Sequence, residues 1–397
     1  MTELSATVPR GAALDRRSHE FRIPPDVHYL NCAYMSPLHR DVEEAGIEGM
    51  RRKRRPYEIS SADFFEESDE LRTEFARLVG GSDASRVAIV PSVSYGITAA
   101  ARNLEPAPGS RIVMLAEQFP SNVYPWRRLA AERGLEVITV IPPDTARSRG
   151  EAWNEALLEA IGDGVAVVAV PVFHWMDGTR FDLEAIGRRC RAVGAALVID
   201  GTQSVGAAPF DVEAVRPDAL VCGGYKWLLG PYGIGVAWYG PRFDDGEPLE
   251  ETWASRVGSE DFRRVAEYRD EYRPGAARYD VGERSDFNAI PMQLAAIRRI
   301  LEWEPARIDA YCDTISTPAI EEAASLGVEV ENETWRGHHL FGLRLPAGMD
   351  ASALGPELEK RKVSVSLRGS AIRVAPHLYN GSDDFDALLE AIRATLG

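Results

Sequence analysis

The chain has 397 residues, 45% of them hydrophobic and 27% charged, with 61 acidic against 45 basic side chains and a formal charge of −16. That length suggests two or three units sharing an interface, and the apolar-to-charged balance is that of a chain that folds throughout. So negative a protein repels nucleic acid and anionic membranes, which sets both aside as partners and leaves small-molecule chemistry as the expected work.

The first twenty residues are polar and interrupted by Pro9, and the longest strongly apolar run, Val165 to Val170, is far too short to span a membrane. A cytoplasmic protein is therefore expected. Cys32, Cys190, Cys222 and Cys312 form no C-x-x-C pair; they are read as reduced and buried, with no metal site. RRKRR at 51–55 is read as a solvated helix face able to pair with the acidic run Glu66 to Glu70. From Val87 onward, short β-branched runs alternate with helical patterns. Strands are expected at Val87 to Val90, Ile112 to Leu115, Val137 to Val140, Val165 to Val170, Ala196 to Ile199, Leu220 to Cys222 and Gly235 to Tyr239. Between them, apolar residues recur at helical spacing, as in Trp153, Ala156, Leu157 and Ala160, or Leu183, Ile186, Cys190 and Val193, the latter helix stopped by Gly194. This is the pattern of an α/β protein with a mostly parallel seven-stranded sheet and helices on both faces. After Pro241 a charged, glycine-containing stretch running to about Asn288 reads as an irregular crossing segment. A helix opened by Pro318, strands at His339 to Leu345, Val363 to Leu367 and Ala371 to Ala375, and a terminal helix from Asp383 predict a smaller α+β C-terminal domain. The expected division is an N-terminal arm over 1–30, a large domain over 31–290 and a small domain over 291–397 that takes in part of the N-terminal segment.

The chemistry is concentrated in ALVIDGTQSVG and the following CGGYKWLLGPYGIG. Ligands of an open α/β sheet sit beyond the carboxyl ends of the strands, so Asp200 and Gln203 should project into that cleft, joined by Lys226 just past the next strand. A carboxylate, an amide and a lysine answer three needs of a pyridinium aldehyde cofactor. Asp200 would hold the ring nitrogen protonated, Gln203 would donate to the phenolic oxygen, and Lys226, its pKa lowered by desolvation and neighbouring positive charge, would form the Schiff base. Any one of these residues alone would more often be a turn cap or a solvated side chain. The specificity lies in the three together at strand ends.

VIDGTQSVG followed by YKWLLGPYGIG resembles the cofactor-binding core of class V aminotransferases, the fold type I pyridoxal 5′-phosphate (PLP) enzymes that include cysteine desulfurases, isopenicillin N epimerases and kynureninases. HYLNCAYMSPL at 28–38, PSVSYGI at 91–97, EQFPSNVYPW at 117–126 and IRVAPHLYN at 372–380 extend the resemblance over roughly residues 28–397. The resemblance implies that Ser94 and Tyr95 meet the cofactor phosphate at a helix start, that Phe119 lies on the pyridine face and that the Tyr225 hydroxyl donates to the phosphate. It also implies that Arg373 grips the substrate α-carboxylate, a task for a planar guanidinium; the plain alternative is a surface salt bridge. Arg368 is a reserve for that role. Asn31 and Tyr34 are further candidates for the substrate side, and His174 is either near substrate or a buried structural imidazole.

Three departures from the family pattern matter. No cysteine lies between Ser352 and Ile372, where desulfurases carry their nucleophile. Trp175 stands where they often present an asparagine. In related enzymes a Gly-Thr pair from a partner subunit reaches the phosphate, whereas here Gly282 is followed by Glu283, whose carboxylate would repel it, so Glu283 is left out of the site. A homodimer with its active site near the subunit interface is still expected. The expected reaction is that of an aminotransferase or lyase acting at Cα of an amino acid. An epimerase, a kynureninase-like hydrolase and a non-catalytic PLP-binding module are the alternatives; a dehydrogenase has no G-x-G-x-x-G to support it.

Overall fold

The computed structural model describes residues 12–144, 148–346, 351–368 and 371–396; the first eleven residues of the expected N-terminal arm lie outside them. After β1 (His28–Tyr29) come the strands of the main sheet: β2 (Val87–Val90), β3 (Arg111–Leu115), β4 (Glu136–Val140), β5 (Val165–Pro171), β6 (Ala196–Asp200), β7 (Ala219–Gly223) and β8 (Gly235–Tyr239). They form a seven-stranded sheet in the order β2-β8-β7-β6-β5-β3-β4. β3 to β7 run parallel, and β8 is antiparallel to both of its neighbours.

Burial on both faces explains why these strands read as unbroken apolar runs. Every residue of β2, β6, β7 and β8 is buried. Alternate residues feed two different cores. Ile89, Val113, Val168, Ile199 and Cys222 point into one, whereas Ala88, Ile112, Val167, Val198 and Val221 point into the other. Only the edge strand β4 is largely accessible, and it carries Glu136 and Thr139. The helices Val93–Arg102, Tyr124–Arg133, Arg149–Ala160 and Leu183–Val193 make the crossovers, and Gly194 ends the last of these in a left-handed conformation at φ 74°.

The stretch after Pro241 contains only short 3₁₀ turns up to the helix Ala289–Trp303. The helix that follows begins at Pro305 and runs unbroken to Ser325, with Pro318 inside it. The expectation that Pro318 opens a helix is corrected: Pro305 fills the tolerated first-turn position, and Pro318 lies inside the helix, where its missing N–H forgoes a backbone hydrogen bond. Beyond it lie β9 (Glu329–Val330), β10 (Phe341–Arg344), β11 (Val363–Ser364), β12 (Ser366–Arg368), β13 (Ala371–Val374) and the helix Ser382–Leu396. The run expected as one strand over Val363 to Leu367 is split in two. β11 pairs in parallel with β1, while β12 joins the antiparallel sheet β12-β13-β10-β9. Leu30, Phe341, Ile372, Val374, Leu388 and Ile392 share a third core, so Leu30 of the N-terminal segment packs with C-terminal residues.

All four cysteines are buried and free. Among the described residues no helix is long and apolar enough to cross a membrane. Of the RRKRR run, Arg52 pairs with Asp63 and, at 2.8 Å, with Glu67 of the acidic run.

Candidate active site

The carboxyl ends of β5, β6 and β7 open onto a cavity of about 250 Å³ walled by Ser92, Ser94, Phe119, Trp175, Asp200, Thr202, Gln203, Tyr225, Lys226 and Tyr232 among others. Asp200 ends β6, in register with Pro171 and Val221 of its neighbours. The turn after it is held by its own polar groups: the Thr202 N–H donates to Asp200 Oδ1 at 3.0 Å, and Thr202 Oγ1 accepts from the Gly223 N–H at 3.1 Å. Gly206 closes this turn at φ 106°, so near the Lys226 loop that a Cβ would stand 2.2 Å from the Trp227 carbonyl oxygen. The glycine of the SVG triplet is therefore fixed by backbone approach.

Lys226 lies three residues beyond β7, buried, with Nζ 5.3 Å from the Phe119 ring centroid and 5.5 Å from that of Tyr225. Burial pushes its ammonium down from 10.5 to about 8; Asp200 opposes the shift, and Arg373 and Arg368 add to it. Burial likewise raises the Asp200 carboxyl, against the hydrogen bonds from Thr202 and the charge of Lys226. Gln203 is anchored on both sides, its Nε2 donating to the Ala33 carbonyl at 3.1 Å and its Oε1 accepting from Trp227 Nε1 at 2.9 Å. One Nε2 hydrogen remains for the cavity. The Ser36 N–H donates to the Tyr225 carbonyl at 3.0 Å, tying the N-terminal segment to the lysine loop.

The remaining expectations divide. Ser94 reaches the cavity at the start of Val93–Arg102, a helix capped by Ser92 Oγ, which accepts from the Tyr95 N–H at 3.2 Å. Tyr95 itself is turned away by the 100° advance per helical residue, and its hydroxyl donates to the Asp280 carbonyl at 3.5 Å. Tyr225 lines the wall beside Tyr232, with ring centroids 4.7 Å apart. His174 is not brought to the cavity: it is buried against Trp153 at 4.9 Å with Nε2 3.2 Å from the Ala116 carbonyl, and burial lowers its pKa. Tyr34 is 60% exposed and forms no part of the cavity wall. Asn31 is buried, and its Oδ1 accepts from Ser366 Oγ at 2.9 Å and from Arg373 Nη2 at 3.5 Å. Glu283 is exposed.

Arg373 is 1% exposed and has no carboxylate within ion-pairing distance among the described residues. Its Nη1 donates to the Trp175 carbonyl at 2.9 Å, its Nη2 to Ser366 Oγ at 3.2 Å, and its buried Nε has no partner. Burial, aided by Arg368, lowers its pKa to about 10, which leaves it charged at neutral pH. Trp175 and Ser92 enlarge the site beyond the expected residues. The Trp175 indole donates to the Glu117 carbonyl at 2.7 Å and meets the Phe119 ring edge-on at 5.5 Å. Glu117 takes the left-handed conformation at φ 52°, which a non-glycine residue adopts only when its surroundings hold it there. The serine of P-S-V-S was a legible cap signal; the indole's position depends on distant segments.

These features fit PLP. The site offers a buried carboxyl without an arginine partner, an amide with a hydrogen to spare, a lysine close to neutrality, an aromatic face above it and a hydroxyl-rich helix start suited to phosphate. A family model described as Aminotransferase class-V matches residues 54–387. The chain belongs to the class-V aminotransferase family. It is a PLP-dependent enzyme of that family. Among its relatives, the uncharacterized aminotransferase YcbU of Bacillus subtilis is 27% identical over 330 residues, 83% of this chain and 84% of the relative. The isopenicillin N epimerase of Streptomyces clavuligerus is 25% identical over 350 residues, with the same shares covered. The structure of a cysteine desulfurase from Thermococcus onnurineus shares the fold, with a TM-score of 0.80 at 19% identity, covering 97% of this chain and 99% of that one.

Proposed function

We propose that this chain binds an α-amino acid by its carboxylate at Arg373 and labilises a bond at its Cα, with amino-group transfer as the leading reaction and elimination of a side-chain substituent as the second. The observation that carries the reading is the guanidinium of Arg373, buried and without a carboxylate partner among the described residues, which donates to the carbonyl of Trp175, a cavity-wall residue whose ring meets Phe119. A buried, unpaired cation is costly, and an anionic ligand removes that cost. Bound PLP supplies a ring that takes up electrons from the substrate Cα. The chain's own residues hold that ring and handle the protons. Asp200 would accept from a ring N–H, Gln203 would donate its remaining amide hydrogen, Phe119 would cover one ring face, and Ser92 and Ser94 with the helix start would receive the phosphate. Lys226, near neutrality and enclosed by aromatic rings, serves as nucleophile and as proton carrier at Nζ.

Persulfide chemistry draws no support from this arrangement. Cys32 lies near enough to Lys226 for their charges to interact, but burial pushes its thiol up to about 12. The same proposal includes a homodimer, supported by the aromatic cluster of Phe64, Trp253, Phe262 and Phe287, whose Trp253 and Phe262 are about two-fifths exposed. It includes a cytoplasmic location, supported by four free thiols. It also takes the cofactor-binding unit as 31–290 and the small unit as 291–397, supported by the separate core around Ile372 and Leu388. Purified protein incubated with amino acids, with and without an α-keto acid, tests the reaction. New amino acid formed only when keto acid is present is the expected result. Release of ammonia and keto acid without an acceptor would place elimination first, and no turnover or spectral change with any amino acid would overturn the proposal.

A further inference from the structure

A second arginine stands beside Arg373 with the same lack of a counter-charge. In the antiparallel pair of β12 and β13, Arg373 is opposite Ser366 and Arg368 is opposite Ala371. Residues 366 and 368 point to one face of their strand, and a directly opposed residue shares that face, so Arg373 and Arg368 project from the same side as diagonal neighbours, roughly 7 Å apart at their backbones. Two like charges so placed repel one another unless something anionic lies between them. No carboxylate among the described residues comes within 4 Å of either guanidinium, and the buried Nε of each lacks a hydrogen-bond partner. Both are gathered about one residue of the cavity wall. The Arg368 guanidinium lies 5.3 Å from the Trp175 ring centroid, with Nη1 donating to its neighbour Leu367's carbonyl at 3.0 Å, while Arg373 donates to the Trp175 carbonyl. The indole face thus holds Arg368 beside a residue of the cavity wall without neutralising it.

We propose that Arg368 receives a second anionic group, so that the substrate is an amino acid whose side chain ends in a carboxylate, sulfinate or phosphate. This inference rests on the reading that Arg373 takes the α-carboxylate, and it adds a second anchor on the same strand pair. The two arginines fix the substrate at both ends, and a neutral side chain leaves Arg368 with its charge unmet.

The test is titration of the holoenzyme, followed by its visible spectrum and by calorimetry, with isosteric pairs: glutamate against glutamine, aspartate against asparagine, O-phosphoserine against serine. At least one acidic member should bind tenfold or more tightly than its neutral partner, and the pair showing the preference identifies the anion. In R368Q that ratio should fall to about one, and R368E should favour ornithine over glutamate. Neutral and acidic members binding the wild type equally, or a preference that survives in R368Q, would overturn the inference while leaving the role of Arg373 standing. Absence of binding by either member of every pair would instead refute the amino-acid reading on which the inference rests.

Discussion

Burial decides the chemistry of individual residues here. The sequence contains four lysines, and Lys53, Lys360 and Lys362 are exposed while Lys226 is buried. With its ammonium lowered to about 8, the free amine at pH 7 is on the order of 300 times more abundant than for a lysine at 10.5. Capture of PLP by the apoprotein should therefore accelerate as pH rises and level off above about 8; a rate still climbing through pH 10 would show an unperturbed lysine. The same shift costs stability. Because the folded-state pKa lies below the unfolded one, the penalty is absent above about 10.5, grows as pH falls, and is fully present below about 8. Lys226→Met should thus raise apoprotein stability at pH 7 by up to about 3 kcal/mol, measured by denaturant unfolding, while abolishing turnover. Arg373→Gln should weaken amino-acid binding by about 2 kcal/mol or more, seen as a raised KM. Asp200, Gln203 and Lys226 were legible because local spacing puts them together at strand ends. Tyr95 and His174 were not, since helical phase and packing against Trp153 set their directions.

At the scale of elements, the uniformly buried strands of the main sheet were legible because a strand covered on both faces has no polar alternation to obscure it. The two-residue strands β1 and β9 leave no such pattern, and the hairpin of β12 and β13 brings Arg368 to Trp175 only through tertiary pairing. Turn backbone is specified more tightly. A Cβ at Gly206 would meet the Trp227 carbonyl at 2.2 Å, in a conformation that disfavours any side chain. Gly206→Ala should cost about 2–4 kcal/mol and loosen cofactor retention by shifting the Lys226 loop; a thermal melt unchanged from wild type would show that the loop relaxes freely.

Across the whole molecule, His339 and His338 link the cavity wall at Gln203 to the helix Pro305–Ser325. His339 Nε2 lies 2.8 Å from the Gln203 carbonyl oxygen, and the adjacent His338 Nδ1 lies 3.0 Å from Asp309 of the long helix. Burial alone would raise the Asp309 carboxyl, but the hydrogen bond from His338 and the nearness of His339, 3.9 Å away, outweigh it and lower the pKa. Burial would lower His338, and Asp309 outweighs that and raises it. Stability from this pair is therefore lost on the acid side as Asp309 is protonated and on the alkaline side as His338 loses its proton. Asp309→Asn should lower stability by about 1–3 kcal/mol near pH 6 and by less at either extreme, measured by thermal unfolding across pH. The site's chemistry depends on Lys226 carrying the cofactor. Borohydride reduction of the holoenzyme followed by peptide mapping by mass spectrometry tests it directly. A pyridoxyl-phosphate mass on Lys226 alone is expected; a tag on Lys53, Lys360 or Lys362, or none on any lysine, would rule out Lys226 as the anchor.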